Sequence, residues 1–213
     1  MKLSKYIDHT LLKADALEKD IVKLCEEAKE YDFKSVCINP SYIPLAKKEL
    51  ADSDVLVCTV VGFPLGQMST QAKVFETKDA LEKGADEIDM VLNIAKLKDG
   101  DLNYVTKEIK ALKDVLKDHV LKVIIEACLL SDDEKKAACE CILKAGADFV
   151  KTSTGFSTGG ATFEDVALLK SCVGDKCQVK AAGGVRSHED FLKMIELGAD
   201  RIGTSSGVKL LKE

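Results

Sequence analysis

Gly146-Ala147-Asp148-Phe149-Val150-Lys151-Thr152-Ser153 joins a turn, a strand and a misplaced charge in one short stretch. Gly146 ends a helical segment, because glycine readily takes the left-handed conformation that closes a helix. Phe149 to Ser153 then reads as a β-type run, broken only by Lys151. The same turn recurs as Gly84-Ala85-Asp86 and Gly198-Ala199-Asp200, each before another apolar run. One αβ turn is used three times, each time delivering the chain from a helix into a strand.

Outward from this stretch, short β-rich runs recur at intervals of roughly 20 to 35 residues, which is the spacing of βα units. They are Tyr6–Asp8, Ser35–Asn39, Leu56–Phe63, Glu87–Leu92, Leu121–Ala127, Phe149–Ser153, Gln178–Ala182 and Arg201–Gly203. Their near-continuous apolar character predicts parallel strands covered by helices. Helix starts are legible too. Ser131-Asp132-Asp133-Glu134 is a capping box, and Thr162-Phe163-Glu164-Asp165 and Ser187-His188-Glu189-Asp190 are close variants. Eight such units predict the α/β class and a single (β/α)8 barrel of the TIM type over residues 1–213. A doubly wound open sheet competes, but the first turn has no Gly-rich nucleotide fingerprint.

Composition narrows the setting. The chain is 46% hydrophobic with a net charge of −5, which suits one soluble domain with a sizeable core. The charge is spread along the chain, so no nucleic-acid partner is expected. No apolar run approaches the ~20 residues of a membrane span, and the N-terminus carries no secretory h-region. The 8 cysteines include no Cys-x-x-Cys pair. They read mostly as small core hydrophobes of a reduced, cytoplasmic protein. Cys37, near the end of a strand, is the one to watch.

In a (β/α)8 barrel the chemistry lies at the carboxyl ends of the strands. Alternation of side chains turns Asp89 inward on the fourth strand and Lys122, Ile124 and Glu126 inward on the fifth. The same parity turns Lys151 and Lys180 inward. An ionised lysine buried in a strand is costly unless it is paired or its pKa falls. A lumen holding Asp89, Glu126, Lys151 and Lys180 is therefore either an internal ion-pair network or a site. A site of this kind suits a lysine nucleophile. Its reference pKa of ~10.4 would have to fall by ~3 units, about 4 kcal/mol, through desolvation and the neighbouring Lys180.

Two Gly-rich turns follow the last two strands, where such barrels often bind phosphate. They are Gly183-Gly184-Val185-Arg186 and Gly203-Thr204-Ser205-Ser206-Gly207. Arg186 is one of only two arginines, the other being Arg201, and could pair with a phosphate. The histidines, His9, His119 and His188, lack metal-ligand spacing, so neither metal nor cofactor is expected. His119 belongs at the far end of the barrel, His188 in solvent, and His9 beside the site. These features suit a lysine-dependent lyase, an isomerase or epimerase acting through Asp89 and Glu126, or a non-catalytic barrel that binds a phosphorylated ligand.

The sequence resembles the deoxyribose-phosphate aldolases, a family of class I (Schiff-base) aldolases. The resemblance rests on Ile7-Asp8-His9-Thr10-Leu11-Leu12-Lys13, Val36-Cys37-Ile38-Asn39-Pro40, Val60-Val61-Gly62-Phe63-Pro64-Leu65-Gly66 and Glu87-Ile88-Asp89-Met90-Val91. It rests most strongly on Phe149-Val150-Lys151-Thr152-Ser153-Thr154-Gly155-Phe156 and Val179-Lys180-Ala181-Ala182-Gly183-Gly184-Val185-Arg186. It implies cleavage of 2-deoxy-D-ribose 5-phosphate to D-glyceraldehyde 3-phosphate and acetaldehyde. It implies Lys151 as the Schiff-base lysine, with Lys180 and Asp89 in proton transfer. Asp8 is expected to join the proton network. Gly155, Gly183, Gly184, Val185, Arg186, Gly203, Ser205 and Ser206 are expected to form the phosphate site. Glu126 is expected to set local charge. The tail, Lys209-Leu210-Leu211-Lys212-Glu213, lacks the terminal tyrosine of some relatives, a departure that bears on tail-assisted proton transfer and not on the lysine chemistry. The partner is a small phosphorylated sugar, and a homo-oligomer is compatible with the sequence.

Overall fold

The computed structural model describes residues 2–212; Met1 and Glu213, the last residue of the tail, lie outside the described residues. Eight strands form a closed parallel barrel in sequence order. They are β1 (Ile7–Leu11), β2 (Ser35–Ile38), β3 (Leu56–Val61), β4 (Glu87–Val91), β5 (Val120–Ile124), β6 (Phe149–Lys151), β7 (Gln178–Ala182) and β8 (Arg201–Thr204). The helices around it are α1 (Glu18–Glu30), α2 (Ile43–Glu49), α3 (Thr70–Glu82), α4 (Ile94–Lys98), α5 (Leu102–Leu116), α6 (Asp132–Ala145), α7 (Phe163–Val173), α8 (His188–Glu196) and α9 (Gly207–Leu210). The sheet closes where Asp8 of β1 pairs with Gly203 of β8. Closure excludes the open sheet and leaves no free strand edge. Among the described residues, no helix is long and apolar enough to cross a membrane.

The thrice-used Gly-Ala-Asp turn has one structural job. Gly84, Gly146 and Gly198 all have positive φ, at 103°, 76° and 104°. Each following aspartate then grips the start of the preceding strand. Asp86, Asp148 and Asp200 accept from the backbone N–H of Val57, Leu121 and Val179 at 2.8, 2.8 and 2.9 Å. Their own N–H groups return a bond to the same residues' carbonyls. Lys47, Lys113 and Lys170, from α2, α5 and α7, pair with the three carboxylates. The repeat is thus a clamp at the amino end of the barrel that stitches alternate strands to the next strand and helix.

The core lies in two shells. Outward-facing strand residues such as Val57, Ile88, Met90, Val123 and Val150 are buried against the helices. The lumen is polar at its centre, with a small apolar group of Leu12, Cys37, Cys58 and Val60 to one side. β5 and β6 end earlier than the apolar runs suggested. After Ile124 and Lys151 the backbone leaves the ladder, and Glu126 adopts a left-handed φ of 52°.

Candidate active site

Strand register builds the centre of the site. Asp89 lies opposite Lys122, and Lys151 lies opposite Lys180, which lies opposite Arg201. Partners in a parallel ladder share a face, so these side chains all enter the lumen. Lys151 donates to Asp89 Oδ2 at 2.7 Å, and Lys180 donates to the same oxygen at 2.8 Å. Lys122 takes Asp89 Oδ1 at 2.9 Å and Glu87 at 2.6 Å. Lys180 also reaches Asp8 at 2.5 Å. Arg201 closes the chain, bridging Asp8 and Glu87 at 2.7 Å each. Below them Phe149 offers its ring to Lys122 and Arg201, at 5.9 Å from each.

Four cationic side chains therefore share three carboxylates: Lys122, Lys151, Lys180 and Arg201 against Asp8, Glu87 and Asp89. Burial pushes the carboxyls of Asp8 and Asp89 up. The cations outweigh it, Arg201 foremost for Asp8 and Lys122 foremost for Asp89, and hold both below the usual carboxylate range. Burial pulls Lys180 and Lys122 down, but Asp8 and Asp89 respectively lead the charges that raise them above an ordinary lysine. Lys180 is thus a buried ammonium compensated by Asp8 and Asp89. This differs from the simple expectation that desolvation lowers a lumen lysine, because each of these lysines found two carboxylates.

Lys151 stands apart from the other three. It has one carboxylate partner, and it lines a cavity of about 550 Å³ at the carboxyl end of the barrel. Much of the remaining wall comes from the turns singled out from the sequence. Gly155, Gly183, Gly184, Val185, Arg186, Gly203, Ser205 and Ser206 all border this cavity. Gly183 and Gly184 have φ of 76° and 87°, a conformation that resists a side chain. Gly184 to Arg186 lead directly into Ser187, which caps α8 by accepting from Asp190 N–H. Arg186 is exposed at the rim.

The residues after Lys151 explain the Lys-Thr-Ser-Thr-Gly run. Thr152 clamps the end of β7, accepting from Ala182 N–H at 3.0 Å and donating to its carbonyl at 3.3 Å. Thr154 binds Glu126 through both its N–H, at 3.1 Å, and its hydroxyl. Gly155, with φ of 83°, turns the chain so that Phe156 meets Phe63 edge-on at 5.2 Å over the cavity.

Three expectations need correcting. Glu126 does not join the lumen charges. The ladder ends before it, and its carboxylate anchors the loop after β6. His9 faces outward on β1 and contacts Glu27 of α1 at 2.7 Å, so it is not beside the site. His188 is not simply solvated, since its Nδ1 lies 2.7 Å from the carbonyl of Leu210. His119 does sit at the opposite end, against the carbonyl of Asp86. Reasoning from sequence missed Glu87 and Arg201 as network members, and Thr10, Lys13 and Lys209 as cavity walls. The rarity of arginine was the one available signal for Arg201.

The decisive comparison covers almost the whole chain. Residues 2–212 match the family described as DeoC/LacD family aldolase. The chain belongs to this family. A deoxyribose-phosphate aldolase of Finegoldia magna is 65% identical over 212 residues, covering 100% of both chains. One from Clostridium botulinum is 60% identical over the same span. Among solved structures, a tetrameric deoxyribose phosphate aldolase from Aeropyrum pernix superposes with a TM-score of 0.90 at 37% identity, covering 99% of this chain and 89% of that one. The resemblance read from the motifs and the barrel expected from the repeats are both borne out.

Proposed function

We propose that this aldolase reversibly cleaves 2-deoxy-D-ribose 5-phosphate to D-glyceraldehyde 3-phosphate and acetaldehyde, through a Schiff base on Lys151. The observation that carries the reading is the uneven lumen. Of four cations sharing three carboxylates, Lys151 alone lines the cavity and holds one partner. Giving up its proton leaves three cations with three carboxylates, so its free amine costs the network least. A lysine must be neutral to attack a carbonyl.

The amine adds to the C1 aldehyde, and loss of water gives an iminium. The C2–C3 bond then breaks as the C3 hydroxyl loses its proton, and its electron pair moves into an enamine. The Asp89 carboxylate takes up that proton, the Lys180 ammonium beside it gives one to C2, and the proton on Asp89 passes back to Lys180 across their hydrogen bond. Asp8 holds Lys180 as ammonium between turnovers. Hydrolysis releases acetaldehyde and restores Lys151. The phosphate lies against Gly155, the Gly183–Arg186 turn and the Gly203–Ser206 turn, where backbone N–H groups can approach an oxyanion and Arg186 adds a charge-assisted contact. The activity suits the breakdown of deoxyribose phosphate. The Aeropyrum relative is a tetramer, and this chain exposes the large apolar side chains Leu65, Met68 and Phe75. A homo-oligomer is part of the proposal, checked by light scattering.

The test is borohydride reduction with acetaldehyde, followed by peptide mapping. The expected result is an ethyl group placed first on Lys151. Labelling first at another lysine, or no rapid labelling, sinks the mechanism. An isomerase or a passive binding barrel predicts no such adduct.

A further inference from the structure

Cys37 and Cys58 are register partners on β2 and β3, so their side chains enter the lumen together. Both are fully buried. Their sulfur atoms and a carboxylate oxygen of Asp89 all lie within 4.8 Å of one another. Cys58 donates to Asp89 Oδ1 at 3.1 Å. A tetrahedral Zn²⁺ with thiolate and carboxylate bonds of about 2.3 and 2.0 Å would set those atoms about 3.5 Å apart. Small rotations of three side chains therefore close a site.

We propose that Cys37, Cys58 and Asp89 form an inhibitory binding site for a single thiophilic divalent cation of the Zn²⁺ or Cd²⁺ class. The donor set, two sulfurs and one oxygen, suits these ions and not Mg²⁺ or Ca²⁺. The charge balance permits it. Binding releases the two thiol protons to solvent and adds two positive charges, so the lumen's net charge is unchanged. Lys122 touches Asp89 Oδ1 at 2.9 Å and Cys58 at 3.4 Å, and must yield both. It keeps Glu87 at 2.6 Å, so it is not left unpaired. A route exists from the cavity. Leu12 lines the cavity and packs with the two cysteines, beside the partly buried Phe63. Movement of these two apolar side chains opens the thiols to the space above Lys151.

Inhibition follows because the ion takes the carboxylate that tethers both Lys151 and Lys180. This step rests on the lysine mechanism proposed above; the binding site itself does not. The sequence hid the site, since its ligands come from three separate strands with no local spacing.

Cadmium titration of the purified enzyme is the test, read by the ultraviolet sulfur-to-cadmium charge-transfer band and by aldol turnover. The expected result is one equivalent bound per chain, loss of turnover in step with the band, and recovery on adding EDTA. Lys151→Ala should keep the band, because it removes no ligand. If that variant also keeps turnover, the lysine mechanism falls while the metal site stands. Cys37→Ser/Cys58→Ser should lose both the band and the inhibition. Cys128→Ser/Cys172→Ser, which removes the more exposed thiols, should lose neither. A band that survives in Cys37→Ser/Cys58→Ser, no band at all, or a band without loss of turnover overturns the proposal. Zinc X-ray absorption on the unaltered enzyme needs no variant to fold, and should show two sulfurs at about 2.3 Å. A first shell without sulfur also overturns it.

Discussion

Two of the places where the molecule buries charge behave oppositely. In the lumen, Asp8, Asp89, Lys122 and Lys180 each meet at least two opposite charges, and their charged forms are favoured despite complete burial. Outside the barrel, Lys73 of α3 and Glu108 of α5 meet at 2.9 Å with no solvent exposure. Burial there pulls Lys73 down and pushes Glu108 up, and one ion-pair partner does not make up the difference. Lys73 donates to the Val91 carbonyl at 2.9 Å, and Glu108 accepts from Asn93 N–H at 3.0 Å. That pair fastens the chain after β4, and neither residue lines the cavity that Lys151 borders. Buried charge is therefore not in itself a mark of function. The number of partners and access to space distinguish the two.

The sharpest way to break the comparison is Lys151→Ala. It removes the cation with one partner and leaves the rest balanced. Aldol cleavage should fall by about three orders of magnitude or more, at least ~4 kcal/mol in the barrier, with no loss in urea midpoint. A variant that is inactive only because it unfolds would place Lys151 with the structural charges.

Lys73→Met should do the reverse. It strands Glu108 in the interior and should cost about 3–5 kcal/mol of stability, with kcat close to wild type at a temperature where the protein stays folded. Adding Glu108→Leu should restore most of the loss, since replacing a whole buried pair is often neutral. A double variant as unstable as the single would show that this pair, like the lumen, is held by more than its partner.

Arg186→Ala tests the cavity rim. Loss of a contact worth roughly 1.5–3 kcal/mol should lower kcat/KM for deoxyribose 5-phosphate by about ten- to a hundredfold. Unphosphorylated deoxyribose should change far less. Equal losses on both substrates would remove Arg186 from the phosphate site.

The smallest effect is with pH. Asp8 and Asp89 have folded pKa values below those of the unfolded chain. Their contribution is present above the unfolded value of about 3.9 and is lost as pH falls below it. Urea midpoints should fall below about pH 4, and less steeply in Asp8→Asn if the stability survives that change. An equal acid slope in the variant would mean that Asp8 is not held by the lumen cations.

Much of this was legible in the chain. The Gly-Ala-Asp turns, the capping serines and threonine, and the period-2 parity of Asp89, Lys151 and Lys180 are local properties, decided within a few residues by sterics and hydrogen bonding. The motif resemblance added roles that parity could not assign. What was not legible depended on where strands end and what faces them. Glu126 obeys the inward parity on paper, yet the ladder stops at Ile124 and the carboxylate turns to Thr154. Lys73 sits in an ordinary helical stretch, and nothing local shows that Glu108 will meet it.

The sequence by itself determined the βα order, the helix ends, the inward face of the lysine-bearing strands and the family. Closure of the barrel decided the rest, because charge balance is a sum over neighbours far apart in the chain. Only when Asp8, Glu87 and Asp89 are set against four cations does one lysine prove to have a single partner and a cavity above it. Only the same closure brings Cys37 and Cys58 against Asp89.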